Sequence, residues 1–345
     1  MKQSREAGNR LLEVALDLAA DGGHIGLFPH ERLDADAVGA AVSLARALRF
    51  QGCASTVVVG EPVPESLQHL PGLEELLFYD SASCPVFDLA LAIDCHGADR
   101  LGARAACFLK TPLRGAIDHH VHEGEAGDLE LIDAGASSTS ELVFGMIWDL
   151  ELYLGRPVFD STMAVLLLAG AITDTGRYSY SNTTPLALRQ AAALLERFDI
   201  DVSQLNYDLY ERTTVERLQI KGDILSTIRL AGRGRILLAH ATRAMLDRRG
   251  APDDELSNLA SEIRAAEGAA AAFLLVEGED GSIRVSIRSN SCFDAAAFAG
   301  RVGGGGHVRA AGMTLGDLTM EEAETLLARE AEAQLEDCLN EGARE

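Results

Sequence analysis

The chain has 345 residues, 47% of them hydrophobic, and carries 30 basic against 53 acidic side chains, a formal charge of −23 at pH 7. That length accommodates two domains, each with a sizeable core. The charge excludes a surface built to grip long nucleic acid, which needs many Lys and Arg contacts to phosphates: only three lysines are present (Lys2, Lys110, Lys221), and the densest basic stretch, 229–235, holds three arginines.

The first six residues show no apolar h-region and no cleavage signature, so no secretion signal is expected. Residues 5–20 place Leu11, Leu12, Ala15, Leu16 and Ala19 on one helical stripe. Ile25–Phe28 is a short apolar run that delivers Pro29-His30, as a strand delivers its loop. Residues 36–50 read as a helix, and Ser55–Gly60 as a buried strand with its turn. Phe87–Ile93 and Gly115–Ile117 are two further strands, each leading into a polar cluster that begins with Asp. Asp174 closes another apolar run, Met163–Ile172, and is read as a fourth strand end. That run is half of what a bilayer span needs, so no membrane segment is expected. Strands alternating with helices predict an α/β domain with a doubly wound, mainly parallel sheet. In such sheets ligands gather beyond the carboxyl ends of the strands, where these polar clusters fall.

Residues 186–230 read as mostly helical, with Pro185 opening one helix. The expected division is a first domain at 1–205, a helical linker at 206–228 and a second, smaller α/β domain at 229–345. In the second domain, residues 235–240, 271–277 and 282–288 alternate as strands, and 255–267 and 320–342 read as helices. Six cysteines (53, 84, 95, 107, 292, 338) lie far apart with no CxxC, and are read as reduced, small core residues of a cytosolic protein.

The chemistry concentrates in His30-Glu-Arg-Leu-Asp34-Ala-Asp36 and in Asp118-His119-His120. Carboxylates and imidazoles at short spacing suit Mn²⁺ or a similar divalent ion better than a closed structural zinc site. Asp34 and Asp36 can turn to one side of an extended loop, or Asp36 can simply cap a helix beginning at Ala37; the residues leave both open. Asp94 and Asp174 add two more such ends. Four together make a shared metal site, and a metallo-phosphoesterase, the first reading. In the second domain Gly303–Gly306 precede His307, and a tetraglycine lets backbone N–H groups approach an anion. His307 and Arg288, which closes the strand up to Ser289, would then grip a phosphate or a base; a flexible glycine loop is the alternative. His24, His69 and His240 read as structural or exposed, and His96 and His122 as members of the motif loops. There is no Walker A sequence and no GxGxxG after a strand, which excludes an ordinary NTPase or Rossmann dehydrogenase.

In order along the chain, His30-xxx-Asp34-x-Asp36-Ala-Val-Gly39, Asp94-xxxxx-Arg100, Asp118-His119-His120 and Thr173-Asp174-Thr-Gly176 resemble the four motifs of the DHH phosphoesterase superfamily. Gly304-Gly305-Gly306-His307 with Ala311-Gly312 resembles its accessory DHHA1 domain. The resemblance covers nearly the whole chain, and the compact two-domain length is similar to the bacterial branch of oligoribonucleases that are also phosphatases of 3′-phosphoadenosine 5′-phosphate (PAP). It implies two Mn²⁺ ions, with Mg²⁺ or Co²⁺ as alternatives. One would be held by His30, Asp34 and Asp94, the other by Asp36, Asp94, His119 and Asp174. It further implies His120 facing the substrate phosphate and Asp118 orienting the histidines. Arg100, Arg288, Ser289, Gly304, Gly305, Gly306 and His307 are the implied substrate contacts. The implied reaction is two-metal hydrolysis of short RNA to mononucleotides and of PAP to AMP, by a cytoplasmic homodimer. The chain departs from the family pattern at Glu123, where Asn is common, and at Ala40, where Ser is common. A cyclic- or linear-dinucleotide phosphodiesterase would use the same metals. A nucleotide sensor without catalysis is the reading from a different class. A RecJ-type exonuclease would need further domains and basic surface, and the GGGH segment disfavours a family II pyrophosphatase.

Overall fold

The computed structural model describes residues 2–121, 127–250, 256, 259–290 and 293–342, in two compact units, 1–212 and 213–345. His122 and Glu123 lie outside the described residues.

The first unit runs α1 (Lys2–Ala20), β1 (His24–Pro29), α2 (Ala35–Arg49), β2 (Ala54–Val59), β3 (Leu76–Phe78), β4 (Leu89–Ile93), α3 (Ala105–Lys110), β5 (Leu113–Asp118), β6 (Leu129–Ile132), α4 (Thr139–Leu154), α5 (Ser161–Asp174), α6 (Pro185–Arg197) and α7 (Val202–Asn206). Its six strands pair in the order β3-β2-β1-β4-β5-β6, and every pairing is parallel. The central strands are apolar without alternation because both faces are covered. Leu27, Leu91 and Ile117 pack with α2, α4 and α5 on one side, while Phe28, Ala92 and Ala116 meet Phe87 and Phe108 on the other. The order reverses between β1 and β4, so a crevice opens at their carboxyl ends. The expected doubly wound α/β sheet is therefore present.

One element differs from its sequence reading. Met163–Ile172 is not a strand but the body of α5, capped by Asp160, whose side chain accepts from the Met163 N–H. The helix is apolar all round because it is enclosed, and a uniformly apolar run carries no periodicity to separate the two states. It crosses α2 so closely that a Cβ on Gly39 would lie 2.6 Å from the Leu166 carbonyl oxygen. The cysteine reading is also corrected: the structure bonds Cys84 to Cys107, 23 residues apart, while Cys53 and Cys95 are free and buried. The turn before β4 folds back onto α3, a contact that spacing alone does not reveal. Cys292 and the Cys338 side chain lie outside the described residues.

The second unit holds α8 (Val215–Leu225), β7 (Arg229–Ala231), β8 (Ile236–Ala241), α9 (Arg243–Arg249), α10 (Leu259–Arg264), β9 (Ala271–Glu277), β10 (Ile283–Ser289), α11 (Ala295–Gly300), β11 (Gly305–His307), β12 (Ala310–Leu315) and α12 (Met320–Gly342). Its sheet, in the order β11-β12-β10-β9-β8-β7, is antiparallel except where β8 meets β9. The glycine segment is thus half of a tight hairpin rather than a free loop. A Cβ on Gly304 would lie 2.6 Å from Met313 Cβ, and one on Gly306 would collide with the Ala310 carbonyl oxygen. Gly305 faces open space. No described helix is long and apolar enough to cross a membrane.

Candidate metal centre

Each acidic or imidazole group arrives at the crevice from a sheet strand or the end of a helix. His30 follows β1 directly and is almost fully buried; its Nδ1 lies 2.6 Å from the Glu31 carbonyl oxygen, which leaves Nε2 for the site. Nε2 sits 3.2 Å from Asp94 Oδ2 and 3.4 Å from Asp34 Oδ2. Asp34 is the N-cap of α2, its Oδ1 accepting from the Ala37 N–H at 2.9 Å. The helix therefore starts at Ala35, so the capping role considered for Asp36 belongs to Asp34, and Asp36 lies within the first turn. Asp94 follows β4 with φ at 59°, a left-handed conformation that costs a side-chain-bearing residue conformational energy and is concentrated at functional sites.

Asp36 is completely buried, and the N-terminus of α4 receives it: Oδ2 accepts from the Thr139 N–H at 2.6 Å and Oδ1 from the Ser140 N–H at 2.8 Å. The same turn serves Asp94, whose Oδ1 accepts from the Thr139 hydroxyl at 2.7 Å. Free N–H groups and the positive end of a helix favour carboxylates there. Ser137–Glu141 did not figure among the site residues read from sequence. The signal was present as Ser138-Thr-Ser-Glu141, a capping box preceding an apolar helix; in the structure Ser138 accepts from the Glu141 N–H. Arg104 was also missed. Buried beneath the crevice, it donates from Nη1 to the carbonyls of Pro29 and Val58, both at 2.8 Å, and so ties the end of β1 to β2. No local signal identifies it.

His119 leaves β5 with Nε2 2.9 Å from Asp174 Oδ2, 3.6 Å from Asp94 Oδ1 and 4.0 Å from Asp36 Oδ2. Asp174 reaches this point from the last residue of α5, not from a strand. His120 turns outward and is more than half exposed, its Nδ1 2.7 Å from Asp118 Oδ1, which also accepts the His120 backbone N–H at 3.0 Å. Arg100 is exposed on a turn whose carbonyl accepts the Glu31 N–H. In the second unit Arg288 and Ser289 end β10 and His307 ends β11.

The electrostatics follow from crowding carboxylates out of water. Burial alone would pull the His30 imidazole down, but Asp34 and Asp94 outweigh it and hold the ring at about 10. His119 is likewise held at about 9 against burial, by Asp174, Asp36 and Asp94. Asp36 is pushed well above the usual carboxylate range, first by burial and then by Asp94 and Asp174. A field that binds protons this firmly also attracts cations. Among the described residues three ligand groups converge, each with atoms within 4.8 Å of one another: His30, Asp34 and Asp94; Asp36, His119 and Asp174; and Asp94, His119 and His120. His119 Nε2 is buried and points into a cluster of acidic oxygens, Asp174 Oδ2 at 2.9 Å nearest. A buried imidazole nitrogen directed among hard oxygen donors fits a divalent cation, which would take the place of the proton.

Comparison with known proteins agrees with this arrangement. Residues 24–171 match the N-terminal domain of the DHH family and residues 238–337 match the DHHA1 domain. The chain is 33% identical to the bifunctional oligoribonuclease and PAP phosphatase NrnA of Thermus thermophilus, over 90% of each chain. It is 31% identical to the NrnA of Bacillus subtilis, over 88% of this chain and 92% of that one. Among solved structures, an exopolyphosphatase-related protein from Bacteroides fragilis superposes with a TM-score of 0.80 at 22% identity, covering 94% of this chain and 98% of that one. RecJ of Thermus thermophilus, solved with Mn²⁺, superposes at 0.55 and 17% identity, covering 98% of this chain and 54% of that one. With both domains matched in order and the aspartates and histidines of its motifs gathered in one crevice, the chain belongs to the DHH family of phosphoesterases.

Proposed function

We propose that this phosphoesterase hydrolyses short oligoribonucleotides to mononucleotides and PAP to AMP, using two divalent ions, Mn²⁺ by preference. The observation that carries the two-ion reading is the posture of Asp94. Its Oδ2 faces His30 at 3.2 Å while its Oδ1 faces His119 at 3.6 Å, so one carboxylate addresses both donor groups. His30, Asp34 and Asp94 would hold one ion, and Asp36, Asp94, His119 and Asp174 the other. Such a pair, when bound, supplies Lewis-acid stabilisation of a phosphoryl group and brings the pKa of water from ~15.7 toward ~7.

The chain's own groups do the rest. Asp118 fixes the His120 ring through Nδ1 and, by that hydrogen bond first, raises its pKa. Nε2 is left to meet a phosphate oxygen as a charged donor, which stabilises charge developing there. The α4 N-terminus holds Asp36 and Asp94 in place before any substrate arrives, so little reorganisation is left for the reaction. From the second unit, Arg288, Ser289, Gly304–Gly306 and His307 would bind the substrate, together with Arg100. The substrate class is supported by the names of the two NrnA relatives. The charge of −23 suits it as well, since a short polyanion needs only the site and no basic track. A cytoplasmic homodimer completes the reading.

The test is product analysis of the purified protein with Mn²⁺ on an RNA dinucleotide and pentanucleotide, PAP, a cyclic dinucleotide, pyrophosphate and long single-stranded DNA. Mononucleotides from both RNAs, with phosphate released from PAP, are expected. Cleavage confined to dinucleotides would replace this reading with a signalling phosphodiesterase. Hydrolysis of nothing on the panel by the metal-loaded protein would leave a sensor.

A further inference from the structure

The backbone directly after Asp174 is bent in an unusual way. Gly176, Arg177 and Tyr178 are three consecutive residues in the left-handed region, at φ 53°, 59° and 62°. Glycine accepts this freely, but two adjacent side-chain-bearing residues do not, and such conformations persist only where the surroundings impose them. Here local hydrogen bonds impose them. The Arg177 N–H donates to the Ile172 carbonyl at 2.8 Å, and the Tyr178 N–H to Thr175 Oγ1 at 3.0 Å. The Ser179 and Tyr180 N–H groups both reach the Thr175 carbonyl at 2.9 Å. Asn182 Nδ2 then ties the loop's far end to the carbonyls of Asp174, at 3.1 Å, and Ser137, at 3.0 Å. The segment is stiff, and it is fastened at both ends to residues of the metal centre.

The bend has one visible result. It lays the Tyr180 ring against the bare face of Gly176, where any Cβ would collide with the ring carbons. Yet the residue remains 62% exposed. Beside it, the Tyr210 hydroxyl donates to the carbonyls of Ile172, at 3.1 Å, and Thr173, at 3.3 Å. The Arg177 guanidinium is stacked 4.7 Å from the Tyr210 ring centroid and faces Glu211 at 3.9 Å. An exposed aromatic ring and a braced guanidinium thus stand on the turn that follows Asp174, and neither has a part in the hydrolytic step. A flat ring braced on one side and open on the other suits a flat π-face. Single-stranded nucleic acid is held in this way, because every base offers a face to an aromatic ring whatever its sequence. A rigid support also loses little freedom when the base docks.

We propose that Tyr180 is a stacking platform for a nucleobase of the substrate, held in place by the left-handed turn at 176–178 and flanked by Arg177. The proposal rests on the nucleotide-hydrolysing function above, and it makes the site one for base-bearing phosphoesters rather than for inorganic polyphosphates.

The experiment compares wild type, Tyr180→Ala and Tyr180→Phe on an RNA dinucleotide and on its abasic analogue, in which each base is replaced by hydrogen. Affinity of each protein for AMP is measured by calorimetry in parallel. Tyr180→Ala should raise KM for the RNA about tenfold and weaken AMP binding about as much, within the range that base–aromatic stacking supports. Tyr180→Phe should stay within twofold of wild type. The abasic analogue should be handled alike by all three proteins. Equal losses on RNA and abasic analogue would reveal a merely structural residue and overturn the platform, as would an unchanged KM in Tyr180→Ala. If wild type hydrolyses no RNA at all, the functional reading fails by itself. AMP affinity then decides the platform: a tenfold loss in Tyr180→Ala sustains it, and no loss overturns it.

Discussion

Thr139 stands at the junction of two buried carboxylates, Asp36 and Asp94, and Thr139→Val isolates one of its two contributions. The backbone N–H groups of residues 139 and 140 remain to serve Asp36, at 2.6 and 2.8 Å. Only the hydroxyl that donates to Asp94 Oδ1 at 2.7 Å is removed. Valine matches threonine in shape, and its branched side chain is tolerated in the first helical turn. Asp94 is almost fully buried, so water cannot readily replace the lost donor. A hydrogen bond to a charged group contributes about 1.5–3 kcal/mol, and each 1.4 kcal/mol is a factor of about ten. The expected loss of Mn²⁺ affinity is therefore roughly 10–100-fold, the range typical for groups that orient a metal ligand. Calorimetric titration of metal-stripped protein with Mn²⁺ measures it directly, without reference to turnover. Thr139→Ser, which keeps the hydroxyl, should bind within a few-fold of wild type. Equal Mn²⁺ affinity in folded Thr139→Val and wild type would refute the assignment of Thr139 as the group that orients Asp94.

Other outcomes follow from the same geometry. Asp94→Ala should abolish turnover while circular dichroism stays native; retained activity would refute the proposal that Asp94 serves both donor groups. Asp118→Asn weakens the hydrogen bond to a carboxylate that, before any other contact, holds His120 up; because the protonated ring is the useful form, the basic limb of the pH–rate profile should move to lower pH, and an unmoved limb would exclude His120 as the charged donor. Mn²⁺ at a hundred times its dissociation constant should stabilise the stripped protein by about 2.7 kcal/mol, a rise of about 5–10 °C in thermal midpoint for a unit of this size, and chelation should reverse it. Gly170→Ala would drive a methyl group into Ser140 Oγ and toward Asp36; overpacking of this kind costs about 1–3 kcal/mol, and thermal unfolding should fall accordingly, with Mn²⁺ binding weakened as α5 shifts away from α4.

Much of this architecture was legible locally. β1, β4 and β5 announce themselves as apolar runs that end in Asp or His, since a strand covered on both faces has no polar positions to interrupt it. The alternation with helices was enough to specify a parallel sheet, and with it the edge at which a ligand must bind. Short elements were not legible: β3, β7 and β11 span three residues each, too few to show a period. Met163–Ile172 misled for the opposite reason, being apolar at every position whichever state it adopts.

For the site, sequence by itself determined the inventory: hard oxygen and imidazole donors in four clusters, spaced as a metal-dependent phosphoesterase of this family spaces them. Chemistry of that kind is written in residue types and short intervals, which the chain displays without folding. Only the tertiary structure decided how those groups share work. It assigned the cap of α2 to Asp34 rather than Asp36, brought Asp174 in from a helix end, and set the α4 N-terminus across 103 residues of chain to receive Asp36. It also tied Arg104 to the carbonyls of Pro29 and Val58 and laid the Tyr180 ring against the left-handed turn at Gly176. These are contacts between segments distant along the chain, fixed by which faces pack against which. No local pattern of residues encodes them, because a hydrogen-bond partner is chosen by proximity in space.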